Sequence, residues 1–90
     1  MASWNHPTST ARSAFIGTDA EYIRHLFSEY WRHKLAFDAA GKRAEQLQRT
    51  AELWPSRHNR RRMLSAFKNA EYWLKGQIHV VRQIEEIANV

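Results

Sequence analysis

The densest group of side chains with binding chemistry lies near the middle of this 90-residue chain. The segment Ser56–Arg62 contains four arginines and a histidine, and Trp54 precedes it by two positions. The guanidinium group presents a planar fork of donors that fits phosphate oxygens, and an indole ring can stack on a nucleobase. This combination favours a polyanion as ligand, with nucleic acid the first candidate.

The arginines stand where a helix is expected to begin, directly after Pro55. The N-terminus of a helix carries a positive partial charge and normally has Asp or Glu beside it, so four arginines there break a local rule. Free backbone amides at the same end also suit a phosphate. We predict a set of nucleic-acid-binding side chains at this end of the molecule: Arg49, Trp54, Arg57, His58, Arg60, Arg61, Arg62 and Lys68.

Two other interpretations of the basic segment stay open. Its arginines could bind an acidic protein surface, or they could have no specific role and pair with Glu45, Glu52 or the acidic residues of a partner. The sequence contains no helix-turn-helix, zinc-finger or RNA-binding strand motif. Any binding of nucleic acid is therefore expected to be sensitive to salt and weakly selective for sequence.

The histidines are the other candidates for chemistry. Glu21, His25 and Glu29 follow one another at steps of four, which suits metal ligands on one side of a helix, but ordinary surface pairing is the simpler interpretation. His58 has no evident acidic partner, and a thin rod offers little concavity for a substrate. We therefore expect no enzymatic activity, no metal, no cofactor and no small-molecule substrate.

The composition narrows the class of partner and the location. The net charge is +5 and the isoelectric point is near 10.1, which favours anionic partners. Cysteine is absent, so no disulfide forms and a reducing, cytoplasmic location is expected. Charged residues interrupt every apolar run before the about 20 residues that a membrane span needs. Residues 1–18 lack both an apolar signal core and a basic amphipathic helix, so targeting is not expected.

Two long helices are predicted to hold these residues. Thr18 and Glu21 have the spacing of a capping box that begins a helix over residues 18–53. Pro55 ends that helix, because the residue before proline is pushed out of helical geometry. After a turn at residues 54–56, the second helix runs over residues 57–89, capped by Ser56 or Asn59. Residues 1–17 form an irregular arm before this helical hairpin, which spans residues 18–90.

Apolar residues recur at alternating steps of three and four in both helices, which is the pattern of a coiled coil. In the first helix the series is Ile23, Leu26, Tyr30, His33, Phe37, Ala40, Ala44, Leu47, Ala51 and Trp54. In the second it is Met63, Phe67, Ala70, Leu74, Gln77, Val81, Ile84 and Ala88. Folding the chain at the turn sets His33 opposite Gln77, and we predict that a buried hydrogen bond between them fixes the register.

The predicted fold class is thus all-α, an antiparallel two-helix hairpin that resembles a coiled coil. A rod of about 50 Å cannot cover its own apolar surface, so we expect a helical bundle completed by dimerisation or by another protein. Gly41 and Gly76 are expected to admit another backbone, since glycine within a helix otherwise costs about 1 kcal/mol. The predicted protein interface consists of exposed apolar residues: Phe27, Trp31, Leu35, Trp73, Val80 and Ile87.

This interface defines a second functional hypothesis, a protein-interaction, assembly or inhibitor module that acts as a homodimer or as a subunit of a larger assembly. In that case the basic residues only steer association. A simpler alternative is that the N-terminal arm covers the same apolar surface through Trp4, Phe15 and Ile16.

Overall fold

The computed structural model describes Arg12 and residues 14–88, and these residues contain two α-helices and no strand. Helix α1 is Asp19–Leu53 and helix α2 is Arg57–Ala88. They pack against each other as an antiparallel hairpin in a rod 53 Å long. The predicted all-helical hairpin is confirmed. Trp4, one of the arm residues expected to cover apolar surface, lies outside the described residues.

Both helices begin at the caps that the sequence predicts. The amide of Glu21 donates to Oγ1 of Thr18 at 3.2 Å, and the amide of Thr18 donates to Oε1 of Glu21 at 2.8 Å. At the start of α2, the amide of Asn59 donates to Oγ of Ser56 at 3.0 Å, so Ser56 is the cap. The side-chain amide of Asn59 instead donates to the carbonyl of Trp54 at 2.8 Å, which ties the turn to α2.

The capping box at Thr18 makes the start of α1 sensitive to acid. Hydrogen bonds from the backbone and then the side chain of Thr18 lower the pKa of the Glu21 carboxyl from its ordinary value of 4.5. A lowered folded pKa means that the stabilisation is complete above pH 4.5 and is lost as the pH falls through the folded pKa. Thr18→Ala removes the hydroxyl but keeps the backbone amide that donates to Glu21, so it should raise the Glu21 pKa only part of the way toward its ordinary value and cost about 1 kcal/mol of stability. Carboxyl NMR titration checks the first effect, with Ser28→Ala as the control, and an unchanged Glu21 pKa would contradict it.

The buried side chains form two clusters at opposite ends of the rod. Near the termini, Tyr22, Leu26 and Val80 are 2 to 5% exposed, and part of the arm packs on them through Phe15. Near the turn, the cluster consists of one buried leucine, two buried alanines and a partly buried methionine: Leu47, Ala44, Ala66 and Met63. The end near the termini therefore holds the larger buried side chains.

The side of α2 that faces α1 differs from the predicted one. Phe67 and Leu74 are 42% and 37% exposed, so their assignment to the buried series was wrong. The residues that face α1 are buried or half-buried and again follow steps of three and four: Asn59, Met63, Ala66, Ala70, Trp73, Gln77, Val80, Ile84 and Ile87. Small side chains explain the choice, because Ala66 packs with Ala44 where Phe67 would hold the helices apart. Trp54, also predicted to be in the core, is 66% exposed.

The predicted hydrogen bond between His33 and Gln77 is absent from the described residues. Nδ1 of His33 lies 2.7 Å from the carbonyl oxygen of Glu29, and the ring meets Trp73 edge-on at 5.6 Å between centroids. Oε1 of Gln77 is buried with no hydrogen-bond partner in that part of the chain. His33 instead meets Trp73 and Gly76 of α2.

The two glycines within the helices have different surroundings within the described residues. A Cβ at Gly76 would lie 2.8 Å from Nε2 of His33 and closer still to Cδ2. A Cβ at Gly41 would meet nothing within 4 Å. Gly76 therefore makes room for the His33 ring, whereas Gly41 lies beside open space.

We expect opposite effects when each glycine is replaced by alanine. Gly41→Ala should stabilise the hairpin by up to about 1 kcal/mol, because alanine favours the helix and nothing obstructs its methyl group. Gly76→Ala should destabilise it by about 1–2 kcal/mol, since the overlap with His33 outweighs the same gain in propensity. Urea unfolding measures both, and adding His33→Ala to Gly76→Ala should remove the penalty. Equal stabilisation by the two alanines would show that the His33 ring yields freely.

Candidate nucleic-acid interface

The turn brings the predicted nucleic-acid-binding residues to one end of the rod, which we call the basic tip. Every member of the set is exposed, and the indole of Trp54 is 66% exposed. Leu53 beside it is 68% exposed. The predicted residues that form the basic tip are Arg49, Trp54, Arg57, His58, Arg60, Arg61, Arg62 and Lys68.

The start of α2 adds its own positive potential to the basic tip. The amide of Asn59 is satisfied by Ser56, and the amide of Arg60 donates to the Ser56 carbonyl at 3.0 Å. No acidic residue stands in the first turn of α2. The partial charge of the helix terminus is therefore not offset by a neighbouring carboxylate, and it adds to that of the arginines.

The arginines of the basic tip form no ion pair within the described part of the chain. Glu45 and Glu52, the acids nearest in sequence, do not lie within 4.0 Å of a basic group there. The ion pairs among the described residues involve Lys or Arg elsewhere on the rod: Arg12–Asp19, Arg32–Glu29, Lys34–Asp38 and Lys75–Glu71. Pairing of the tip with its own acids, one of the interpretations left open, is therefore not observed.

A groove of about 500 Å³ between the two helices continues the basic tip along one side of the rod. Its floor is apolar and includes Leu47 and Ala66. Its basic lining consists of one residue from α1 and three from α2: Arg43, His58, Arg61 and Arg62. The remaining residues of the predicted set do not line it, so the tip presents a groove and, outside it, further exposed cationic side chains.

Arg43 is the basic lining residue that sequence reasoning left out of the predicted set. It directly precedes Ala44, which is 1% exposed, so its side chain leaves the helix at the edge of the packed face. In the sequence, the position of Arg43 next to a predicted core alanine was the signal that could have placed it at the groove. It was not decisive, because the partner residues on α2 depend on which side of α2 faces α1.

The comparisons with known proteins found nothing similar to this chain: no protein-family model, curated protein or solved structure matches it.

No group of three or more His, Asp or Glu side chains in Arg12 and residues 14–88 is placed to hold a metal ion. Neither α1 nor α2 combines the length and the apolar character needed to cross a membrane.

The predicted protein interface does not form one exposed surface. On α1, Phe27, Trp31 and Leu35 are 48%, 54% and 65% exposed, as expected. On α2 the prediction was wrong for Val80, which is 5% exposed and packs with the core near the termini. Correspondingly, two more residues of that set are half-buried on the side of α2 that faces α1: Trp73 and Ile87.

The arm covers part of the apolar surface, as one alternative supposed. The ring of Phe15 lies 5.2 Å from that of Tyr22, and Arg12 lies over the same tyrosine at 5.4 Å and pairs with Asp19. Burial raises the pKa of the Tyr22 hydroxyl. Ile16, in contrast, is 98% exposed and covers nothing among the described residues.

Proposed function

We propose that this protein is a non-enzymatic helical hairpin whose basic tip binds nucleic acid or a similar polyanion. The observation that carries the proposal is that the arginines of the tip are exposed and form no ion pair within the described residues. Uncompensated arginines at a helix N-terminus are electrostatically unfavourable in the free protein and become favourable beside phosphate. An intracellular, reducing location accords with such a ligand and with the absence of cysteine.

Binding at this tip would proceed mainly through the phosphate backbone. Arg61 and Arg62 can contact phosphates from the groove, and Arg57 and Arg60 can do so from outside it. The exposed indole of Trp54 offers a surface for stacking, which tolerates any base. We therefore expect weak sequence selectivity. The exposed indole is also what favours nucleic acid over an acidic protein surface.

The test is an electrophoretic or fluorescence titration with generic DNA and RNA at two salt concentrations. If three or four phosphates are contacted, a fourfold rise in salt should weaken binding about 40- to 150-fold. Quenching of tryptophan fluorescence should accompany binding. Polyglutamate is the matched polyanion without bases, and equal affinity for it would indicate an acidic protein as partner. Failure to bind either polymer at low salt would end the proposal.

A second candidate function is assembly, in which another chain completes a helical bundle. The buried core of the described residues has eight apolar members, of which four are alanine. So small a core gives a hairpin little stability on its own. Exposed apolar side chains on both helices offer the missing area, among them Trp31 on α1 and Phe67 on α2.

Sedimentation equilibrium of the pure protein tests this candidate. A mass of about twice 10.7 kDa indicates self-association, and a mass of 10.7 kDa leaves only a partner of another kind. The result does not bear on the basic tip, whose ligand is measured separately.

A further inference from the structure

Helix α2 carries a second heptad series beside the one that faces α1. Its members again alternate at steps of four and three, and four large apolar side chains among them are 37 to 51% exposed. The complete second stripe is Arg60, Leu64, Phe67, Glu71, Leu74, Ile78, Val81 and Glu85. A helix with apolar heptads on two sides has one side to bury against its own hairpin and another against something else.

The order of residues in the second stripe makes it complementary to itself when reversed. Pairing it antiparallel about the midpoint between Tyr72 and Trp73 sets Arg60 opposite Glu85 at each end. The same register sets Leu64 opposite Val81 and Phe67 opposite Ile78, so apolar residues meet apolar residues inside the charged ends. In the remaining layer, Glu71 of each chain lies opposite Leu74 of the other chain, and Lys75 follows Leu74 in the sequence.

We propose that α2 packs antiparallel against α2 of a second copy of this chain through the second stripe. This proposal rests on the assembly candidate above and commits it to one occupant, one face and one register. A parallel pair is disfavoured, because it would set Arg60 against Arg60 and Glu85 against Glu85. An antiparallel pair also has the two-fold symmetry that most homodimers adopt.

The charges of the whole rod favour the same orientation. The basic tip lies at one end, whereas Asp19, Glu21 and Glu86 lie exposed at the other. Antiparallel packing sets each basic tip beside the acidic end of the partner subunit. The broad side of the rod measures 53 by 27 Å, which leaves room for the about 800 Å² per partner that a standard interface buries. The two tips then stand about 50 Å apart. Arg60 pairs with Glu85 of the partner subunit, which leaves Arg57, Arg61 and Arg62 of each tip to bind separate stretches of polyanion.

Aspartate substitutions in the second stripe test the face. We expect the native chain to sediment at about twice 10.7 kDa, and Phe67→Asp and Leu74→Asp each to sediment at 10.7 kDa. The matched control is Leu35→Asp, whose leucine is 65% exposed on α1 and lies outside the stripe. Far-UV circular dichroism verifies that each variant stays helical. A monomeric native chain, or loss of the dimer in the control alone, overturns the proposal.

A charge exchange tests the register. Arg60→Glu and Glu85→Arg should each raise the dimer dissociation constant at least about fivefold, because each mutation places like charges together at both ends of the symmetric pair. The double variant should return it to near the native value. A dimer whose double variant shows no recovery overturns this register while self-association stands.

Disulfide trapping tests the same register without relying on electrostatic interactions. The described residues contain no cysteine, so an introduced cysteine is the only thiol among them. Mixing the Leu64→Cys variant with the Val81→Cys variant should give a disulfide-linked pair under mild oxidation, and neither variant alone should do so. Cross-linking of Leu64→Cys with itself would show a parallel pair and contradict the proposal.

Discussion

Replacing Arg60, Arg61 and Arg62 together with alanine is expected to weaken nucleic-acid binding on the order of 100-fold at low salt. The three side chains are exposed and have no ion-pair partner in the described residues, so their loss removes phosphate contacts without breaking an internal interaction. About 1 kcal/mol or more for each charge-assisted hydrogen bond gives that size of effect. A titration against a generic oligonucleotide at several salt concentrations measures it, and the slope of log affinity against log salt should fall by about three.

The matched control separates position from net charge. Arg24→Ala, Arg32→Ala and Arg82→Ala combined remove the same three charges from the net +5. These arginines lie away from the tip, nearer the termini, and the control should keep affinity within about threefold of the native chain if long-range steering is all that they supply. Equal losses in the two triple variants would mean that overall charge, and not the basic tip, attracts the polyanion.

The local signals in the sequence predicted the hairpin well because each depends on a few adjacent residues. Thr18 and Glu21 form the capping box that their spacing predicts, and Pro55 ends α1 as its ring requires. Ser56 takes the second cap. Such signals need no knowledge of the rest of the chain, so they survive folding unchanged.

The sequence did not show which side of α2 packs against α1, because two heptad series run along that helix. The predicted series contained Phe67 and Leu74, and Phe67 is larger and more apolar than Ala66, which faces α1. Hydrophobicity therefore pointed to the wrong side. Close packing between small side chains decided the outcome, with Ala66 against Ala44 and Gly76 against His33. Periodicity establishes that a side is apolar but does not say which chain covers it.

The candidate site, like the fold, was predictable from the sequence only in part. A run of arginines at a helix start was visible in the sequence, and the structure places it exposed at one end of the rod. The groove was not visible, since its lining requires Arg43 on α1 to meet His58, Arg61 and Arg62 on α2. That meeting depends on the rotation of α2, which heptad spacing left undecided.

Leu26→Ala is expected to cost about 3 kcal/mol of unfolding free energy, the largest effect on stability of any truncation considered. Leu26 is 3% exposed and packs with Tyr22 and Val80 in the cluster near the termini, where the larger buried side chains lie. The cluster near the turn contains Ala44 and Ala66, which offer little apolar area to replace what is lost. For a chain of this size, such a loss lowers the melting temperature by about 10–20 °C.

Thermal unfolding followed by circular dichroism at one fixed protein concentration measures the change, because any self-association makes the melting temperature depend on concentration. Leu35→Ala removes the same atoms from a leucine that is 65% exposed, and it should shift the midpoint by less than about 3 °C. Similar shifts for the two variants would mean that Leu35 is buried in solution. Since α1 leaves Leu35 exposed within one chain, that result would require another chain to cover it.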